Sequence, residues 1–273
     1  MFRRMRTAIG LAAVGLVAAC SGSTERPGTG VLVVRLTDAP GEQIESAEVW
    51  ISKVYLLTSG DSAGGRVAVS DTAAMYDLMD LQGGATALLG TVTIPVGDYD
   101  QMRLVVDSAQ VTLKAPLTFG DGSSTKSLKT PSGQQSGIKV NFDAPVHVSA
   151  GETILVVDFD VSRNFVFTGP PGAPHGVIFT PVLHATAMDI AGSIAGTVGP
   201  ASSKAQLFAI VGTDTVASAL ADTTTGAYVL RYLDPRVSPF TVAATATGFT
   251  TQTKTVPLRT AQDTTGVDFT LTP

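Results

Sequence analysis

The sequence predicts an all-β protein with two β-sandwich-like domains. Short runs rich in Val, Thr, Ile and Phe recur along the chain and are separated by Gly, Pro, Asp and Ser, a pattern typical of strands joined by turns. Long Leu/Glu/Lys segments with a 3.6-residue period are missing, and this disfavours a helical class. Cys20 is the single cysteine, so packing and hydrogen bonds must hold the fold without an internal disulfide.

The first twenty residues have the layout of a secretory signal peptide. Arg3, Arg4 and Arg6 give a basic start, and an apolar run from Ala8 to Ala19 ends directly before Cys20. A membrane-spanning helix needs about 20 apolar residues. The run is shorter than that, so the sequence favours a cleaved signal over a transmembrane anchor.

Small residues before Cys20 also resemble the lipobox of bacterial lipoprotein signals. The resemblance implies that residues 1–19 are removed and that the Cys20 sulfur carries diacylglycerol, with further acylation of the new amino terminus. A plain signal peptide, with Cys20 an incidental small residue, is the alternative. Lipidation would also explain why an exported chain keeps one unpaired thiol, and several acyl chains would hold it at a membrane.

Residues 20–29 form the expected flexible tether, which after Cys20 is small, polar and rich in chain breakers. Ten such residues reach about 16–19 Å, so we expect the folded part to lie close to the lipid surface. Ser21 follows Cys20 in place of the Asp that would favour retention in the inner membrane. The expected location is therefore the cell envelope, and the outer membrane where the source has one.

The charge balance excludes a nucleic-acid partner. Cleavage would remove three of the 18 basic residues and none of the 23 acidic ones, which leaves the mature chain at −8. Nucleic-acid binding requires a basic face. The expected partners are the membrane, through Cys20, and an envelope glycan or protein.

A larger domain is predicted from residue 30 to 189. One helical turn is expected within residues 75–90, where two adjacent glycines oppose a longer helix. Residues 91–95 and 100–107 are expected to pair across a turn at 96–99. The predicted strands are residues 31–36, 47–57, 67–69, 91–95, 100–107, 111–113, 117–119, 125–128, 137–142, 146–148, 153–159 and 178–188.

This domain resembles a bacterial lipoprotein family known only as a domain of unknown function, DUF4382. Six motifs carry the resemblance, in one order, at residues 31–40, 76–81, 88–90, 95–104, 131–142 and 155–163. The resemblance implies a β-rich extracytoplasmic domain. It brings no assigned activity and no catalytic residues.

A second, smaller domain is predicted from residue 191 to 273. Short strands with turns between them are expected at residues 192–198, 205–209, 222–230, 240–249 and 267–271. The segment is similar to the carboxypeptidase regulatory-like domains, which are grouped with carbohydrate-binding-like and transthyretin-like folds. It departs from them at residues 233–240, where that family has a Pro-Gly-Tyr type turn. Such domains accompany peptidases and are not themselves peptidases.

Two sequence patterns could provide a catalytic nucleophile or metal ligands. Ser62 lies in a G-x-S-x-G sequence, but a β-like segment follows it where a hydrolase needs a helix; a solvated loop explains it better. Asp158 and Asp160 are two apart in a predicted strand, so both would point to one face. They are weak candidates for Ca²⁺ ligands, and polar residues on an open sheet face are the favoured interpretation.

The remaining candidates are histidines and aromatic residues. His147, His175 and His184 have no second His or Cys at a spacing that suits zinc, so no metal and no cofactor is expected. Trp50 and Tyr55 lie in one predicted strand, on opposite faces by parity. They are weak candidates for sugar stacking, and a packing role is the alternative.

The leading functional hypothesis is a non-enzymatic binding or structural module held at a membrane face. A carbohydrate-binding protein of the cell surface is the alternative, by fold-level analogy of the second domain alone. An extracellular hydrolase is the third hypothesis.

Overall fold

Nearly all regular structure in the protein is β. The computed structural model describes residues 28–39, 41–58, 66–128, 130, 136–170 and 172–273. Strands account for 58% and helices for 7%, so the prediction of an all-β fold is confirmed. The buried apolar residues form two clusters, one between Leu32 and Ala185 and the other between Ile194 and Leu271. We call the corresponding parts the N-terminal unit and the C-terminal unit.

The N-terminal unit contains one 11-stranded sheet and one two-stranded sheet. A 3₁₀ helix at Leu78–Gly84 and one helical turn, α1, at Val161–Asn164 interrupt the strands. The strands are β1 Thr29–Thr37, β2 Ile44–Thr58, β3 Arg66–Ser70, β4 Ala74–Asp77, β5 Ala87–Pro95, β6 Gly97–Leu113, β7 Thr125–Leu128, β8 Ile138–Phe142, β9 Val146–Val148, β10 Glu152–Asp158, β11 Phe165–Thr168, β12 Gly176–Phe179 and β13 Leu183–Ala187.

The large sheet curls until its two ends meet. Its strand order is β3-β2-β6-β8-β13-β10-β1-β5, with β4 beside β2 and with β7 and β9 beside β6. The end strands β3 and β5 are in contact. A Cβ on Gly90 of β5 would lie only 2.8 Å from the Val69 carbonyl oxygen of β3, so glycine permits this close approach. The result is a barrel-like layer around the larger apolar cluster.

In each of the long strands β2 and β6, the alternation of inward and outward side chains shifts by one residue. The two shifts lie next to each other in the sheet. In β2 the buried residues are Val49 and Ile51 before the change and Val54 after it. In β6 burial passes from Val106 to Ala109. The register between the strands is irregular at the same place, which is the behaviour of a β-bulge. Both strands therefore keep an apolar face towards the core along their whole length.

The pairing expected between residues 91–95 and 100–107 is wrong. β5 pairs with β1, while β6 pairs with β2. The chain makes a corner between β5 and β6, where the Tyr99 hydroxyl donates to the Pro95 carbonyl oxygen at 2.9 Å and the tyrosine is 3% exposed. A buried tyrosine that closes a corner sends the second strand to another part of the sheet. The helical turn expected within residues 75–90 is confirmed by the 3₁₀ helix, whereas the strand expected at 117–119 does not form.

The C-terminal unit is a sandwich of two four-stranded sheets. One sheet has the order β17-β14-β20 with β21 also beside β14, and the other has the order β16-β15-β18-β19. Sequence patterns missed β16 and β19. The strands are β14 Gly192–Gly199, β15 Gln206–Val211, β16 Asp214–Leu220, β17 Ala227–Leu233, β18 Phe240–Thr245, β19 Gln252–Val256, β20 Asp263–Thr264 and β21 Phe269–Thr270, with 3₁₀ turns at Ala201–Ser203 and Pro235–Val237.

Inward side chains from both sheets form the sandwich core. Ile194 and Leu230 come from one sheet, and Leu207 and Val242 come from the other; each of the four is fully buried. Fully burying such a side chain contributes about 1.5–3 kcal/mol. The Tyr228 hydroxyl donates to the Val267 carbonyl oxygen at 2.6 Å inside this core, so its polar atom has the partner that burial requires.

The close packing of β14 gives a stability prediction. A Cβ on Gly196 would lie 2.2 Å from the Val267 carbonyl oxygen. We expect Gly196→Ala to lower the free energy of unfolding by about 2 kcal/mol, because overpacking typically costs about 1–3 kcal/mol. Gly199→Ala in the same strand is the control, since its nearest atom lies 3.9 Å away. Urea unfolding of both variants measures the difference, and equal losses would contradict the packing argument.

Candidate functional site

The candidate site lies where the two units meet, and parallel strand pairing places its first residues. β1 and β10 run parallel with Thr37 opposite Asp158. Asp38 directly follows β1, and Asp160 follows β10 at the start of α1. The ends of parallel strands lie at the same edge of a sheet, so three carboxylates meet at this edge. We call the region in which this edge faces the C-terminal unit the junction.

The three carboxylates have unequal hydrogen bonding. Asp38 is 6% exposed; its Oδ1 accepts from the Val161 amide at 2.8 Å, while its Oδ2 has no hydrogen-bond partner among the described residues. Asp158 Oδ1 accepts from the Asp160 amide at 3.2 Å. Asp160 Oδ1 accepts from the Ser162 hydroxyl at 2.6 Å and from the Ser218 hydroxyl of β16 at 3.0 Å. The C-terminal unit therefore supplies part of the hydrogen bonding of Asp160.

Burial raises the pKa of all three groups, and repulsion by neighbouring carboxylates adds to the rise for Asp38 and Asp158. Desolvation is the main cause for Asp38, and the charges of Asp158 and Asp160 add to the rise in its pKa. Desolvation followed by the charge of Asp160 raises the pKa of Asp158 to about 7. Desolvation also raises the pKa of Asp160, against the hydrogen bonds from the two serines. A carboxylate that loses water without gaining a cation prefers its neutral form.

A cavity of about 110 Å³ opens between the units at this point. Asp38, Asp158 and the backbone of Gly84 line it from the N-terminal unit, while Ser218, Arg231 and Tyr232 line it from the C-terminal unit. The Tyr232 hydroxyl donates to the Gly84 carbonyl oxygen at 2.8 Å. The volume suits a few water molecules or a small polar group.

His184 extends the site from the neighbouring strand. It lies opposite Asp158 in the β10–β13 pairing, and its side chain is 8% exposed. Its Nδ1 is 3.2 Å from Asp143 Oδ1, and its Nε2 is 3.6 Å from Asp214 Oδ2 of the C-terminal unit. Burial alone would lower the His184 pKa, but the hydrogen bond and charge of Asp143 and the charges of Asp214 and Asp158 raise it.

Arginine side chains join the units around this centre. Arg163 of α1 donates to the Thr215 carbonyl oxygen. Arg236 donates to the carbonyl oxygens of Pro145 at 2.6 Å and Ala144 at 3.2 Å, and it holds the buried Asp234 through two nitrogens. The planar guanidinium suits this multiple hydrogen bonding. Arginine hydrogen bonds to backbone carbonyl oxygens therefore link the two units at the junction.

The interpretation of Asp158 and Asp160 as polar residues on an open sheet face is wrong. β10 ends at Asp158, and Asp160 has left the strand with a left-handed backbone at φ 45°. Asp160 is only 6% exposed because α1 and β16 cover it. Across the described ranges, no group of three or more His, Cys, Asp or Glu side chains is placed to hold a metal ion.

Trp50 and Tyr55 both lie outside the apolar core, on one face of β2. Residues five apart in a regular strand point to opposite faces, but the alternation shifts by one residue between Ile51 and Val54. The expectation that Trp50 and Tyr55 lie on opposite faces is therefore wrong. Tyr55 is 9% exposed; its hydroxyl donates to the Ser136 carbonyl oxygen at 2.7 Å, and Arg66 lies 5.0 Å above its ring. Trp50 is partly exposed and is paired with Met75, which is 49% exposed. Of these two residues, Trp50 is the more exposed.

The other predicted residues are dispersed or lie outside the described part. Cys20 and Ser62 are outside the described residues. His147 contacts Asp98 at 2.8 Å on the surface, far from His184 in the sheet, and His175 lies in the loop before β12. No described helix is both long enough and apolar enough to cross a bilayer.

Sequence reasoning missed Asp38, His184 and the contribution of Ser218. A signal for Asp38 was present: residues 31–38 and 153–160 both read as a buried apolar strand followed by an aspartate. Two such strands, paired in parallel, bring their following acids together. The parallel pairing itself is a long-range feature that neither segment encodes alone.

Comparison with protein families assigns the N-terminal unit. A family model described as a domain of unknown function, DUF4382, matches residues 29–181, more than half of the sequence. The chain belongs to this family. In this chain the DUF4382 domain thus includes Asp38, Asp158 and Asp160, whereas Ser218 and Asp214 lie beyond it. A search of curated proteins gives no match.

Solved structures show only distant similarity. The Bacillus anthracis TIE protein is 9% identical, with a TM-score of 0.22, over 90% of this chain and 34% of that one. A leucine-rich repeat protein from Bacteroides thetaiotaomicron is 8% identical, with a TM-score of 0.16, over 89% and 26%. A putative cell adhesion protein from Bacteroides fragilis is 8% identical, with a TM-score of 0.17, over 87% and 91%. This chain therefore spans about a third or less of the first two, and similarity at this level carries no functional argument.

Two ion pairs at the junction give a second prediction. Arg236 holds the fully buried Asp234 side chain, whereas Lys204 contacts Glu42 at 3.6 Å with both side chains largely exposed. We expect Arg236→Met to lower the free energy of unfolding by about 1–3 kcal/mol, because it leaves the buried Asp234 carboxylate without its main hydrogen-bond partner. Lys204→Met is the matched control and should cost less than about 0.5 kcal/mol. Chemical denaturation measures both; similar costs would show that burial does not distinguish the two pairs.

Proposed function

We propose that the protein is a lipid-anchored envelope lipoprotein that acts as a non-enzymatic binding or structural module. The lipobox-like sequence that ends at Cys20 supports the anchor, and the single observation that carries the structural role is the direction of β1. The strand begins at Thr29, nine positions after Cys20, and ends at Thr37 beside the junction. Nine residues of strand span about 26 Å. A chain anchored at Cys20 would therefore hold the C-terminal unit at the end that faces away from the membrane.

The contacts at the junction support a role in presentation. Tyr232, Arg163 and Arg236 each bind a carbonyl oxygen of the other unit, which fixes the orientation of the sandwich on the barrel-like layer. A lipid anchor, a compact base and an outward sandwich together form a module that presents the sandwich on the side of the base away from the bilayer. The outer membrane is the proposed location in a source with two membranes, since Ser21 and not Asp follows Cys20.

The anchor is tested by replacing the sulfur. Cells are grown with an alkyne-bearing fatty acid, and the wild-type protein should become labelled and partition with membranes. Cys20→Ser should abolish the label and release the protein from the membrane fraction or block cleavage, because the thioether bond requires sulfur. Ser23→Ala, in the same tether, should behave as wild type. An unlabelled wild-type protein whose first residue is Met1 in mass spectrometry would refute the proposal.

A carbohydrate-binding role is the second candidate, and the position of Trp50 favours it. Trp50 is partly exposed on the outer face of β2, and its strand partner Met75 is half-exposed. Such a face suits stacking against a sugar ring, since aromatic side chains offer large rigid contact area.

This candidate predicts a specific loss of binding. Pull-down with peptidoglycan and surface polysaccharides should retain wild type, and Trp50→Ala should lose at least about tenfold in affinity, equivalent to about 1.4 kcal/mol. Trp50→Phe, which keeps an aromatic face, should retain most of the binding. Both variants should unfold near the wild-type midpoint because Trp50 lies outside the core cluster. If the wild-type protein binds no glycan, the carbohydrate-binding role is excluded, whereas the proposed structural role is unaffected.

A further inference from the structure

The junction carries more buried acid than its surroundings neutralise. Asp38, Asp158 and Asp160 lie together, and Asp38 Oδ2 has no hydrogen-bond partner among the described residues. Isolated ionised carboxylates are costly to bury, so such groups take up protons in preference to remaining charged. The buried state of these residues is therefore favoured by a proton.

Closure of the junction creates much of this burial. Ser218 of the C-terminal unit covers Asp160, and residues 217–220 with Tyr232 form the wall of the cavity opposite Asp38 and Asp158. Asp214 of the same unit faces His184. Separation of the units would return these groups to water, where carboxylates ionise freely and the histidine loses one of its two acidic neighbours.

We propose that the junction is a proton-operated joint, which closes when Asp38, Asp158 and Asp160 share protons and His184 is protonated between Asp143 and Asp214, and which loosens when these protons leave. This device goes beyond the proposed anchoring function and is independent of it. Its consequence is that the angle between barrel-like layer and sandwich is firmly held in mildly acidic surroundings and less firmly held in alkaline ones.

The three aspartates and His184 make closure depend on pH in the same direction. The closed state raises the pKa of the three aspartates, so closure loses stability as the pH rises from the ordinary carboxyl value of about 4. For Asp158 the full loss is reached above about 7, its pKa in the closed state. The closed state also raises the pKa of His184. That contribution is fully present below the ordinary histidine value of about 6.5 and is lost as the pH rises through the higher value of the closed state.

The other charged groups of the junction do not reverse this pH dependence. Arg163 of α1 and His184 lower the pKa of Asp158, but desolvation and Asp160 outweigh them. The charged or titratable groups that face the centre are Arg35 of β1, Asp38, Asp158, Asp160, Arg163, Asp143, His184 of β13, Asp214 of β16, and Arg231 and Tyr232 of β17. Arginine stays charged across this range, so only the carboxylates and His184 change.

Hydrogen exchange of the full-length protein between pH 5.5 and 7.5 tests the joint. Exchange of residues 158–164 and 214–220 is measured relative to the core strand Ile44–Thr58 in the same sample, which removes the intrinsic pH dependence of exchange. Each proton linked to closure changes the opening equilibrium up to about tenfold per pH unit. We therefore expect relative protection of the junction segments to fall by about tenfold or more at the higher pH. No relative change in wild type would overturn the proposal.

Variants separate titration from packing. Asp158→Asn and His184→Gln should each reduce the pH-dependent loss, because each removes one proton site with little change in shape. Asp100→Asn, an exposed residue of β6, should leave the loss unchanged. Full retention of the loss in both junction variants would overturn the proposal even if wild type responds to pH.

A covalent lock provides an independent check. Ser162 Oγ and Ser218 Oγ are 3.1 Å apart across the junction, so a Ser162→Cys/Ser218→Cys pair is placed to form a disulfide between the units. The oxidised pair should abolish the relative loss of protection at pH 7.5, and reduction should restore it. Protection that Ca²⁺ restores at pH 7.5 and EDTA removes would identify a metal ion, and not a proton, as the neutralising charge and would overturn the proposal.

Discussion

The parallel pairing of β1 with β10 is the constraint on which the rest of the molecule depends. It links residues more than 120 positions apart, and its register sets Thr37 opposite Asp158. It joins two strands that are buried on their inner face, and it brings the chain segments after both strands to one edge of the sheet. The C-terminal unit packs on that edge. A shift of this pairing by one residue would turn the inward side chains outward and separate the acids of the junction.

The class of the fold and much of the core could be predicted from local patterns. Runs rich in apolar and β-branched residues identified the strands at residues 31–36 and 153–159, and the Gly-Gly pair correctly limited the helix near Leu78. The partners of the strands could not be predicted in the same way. Residues 96–99 contain turn-forming residues that suggest a hairpin, but burial of Tyr99 makes the segment a corner. Tertiary burial, which no local window contains, decided between the two.

The candidate site, too, could be predicted from the sequence only in part: the spacing of its acids is local, whereas their burial depends on distant strands. The spacing of Asp158 and Asp160 marks them as candidates, but their burial depends on distant parts of the chain, because α1 turns out of the sheet and β16 of the other unit covers Asp160. Asp38 and His184 join them only through the pairing of β10 with β1 and β13. Trp50 and Tyr55 share a face because of an irregularity in β2 that has no clear signature in its sequence.

That irregularity also means that the lengths of β2 and β6 can change only together. β2 and β6 exchange their buried parity at neighbouring positions, so their apolar faces remain matched on both sides of the irregular register. An insertion or deletion of one residue in either strand alone would turn half of that strand inside out, whereas a matched change in both could restore the fit. Relatives of this protein should therefore vary in the lengths of these two strands together, or not at all.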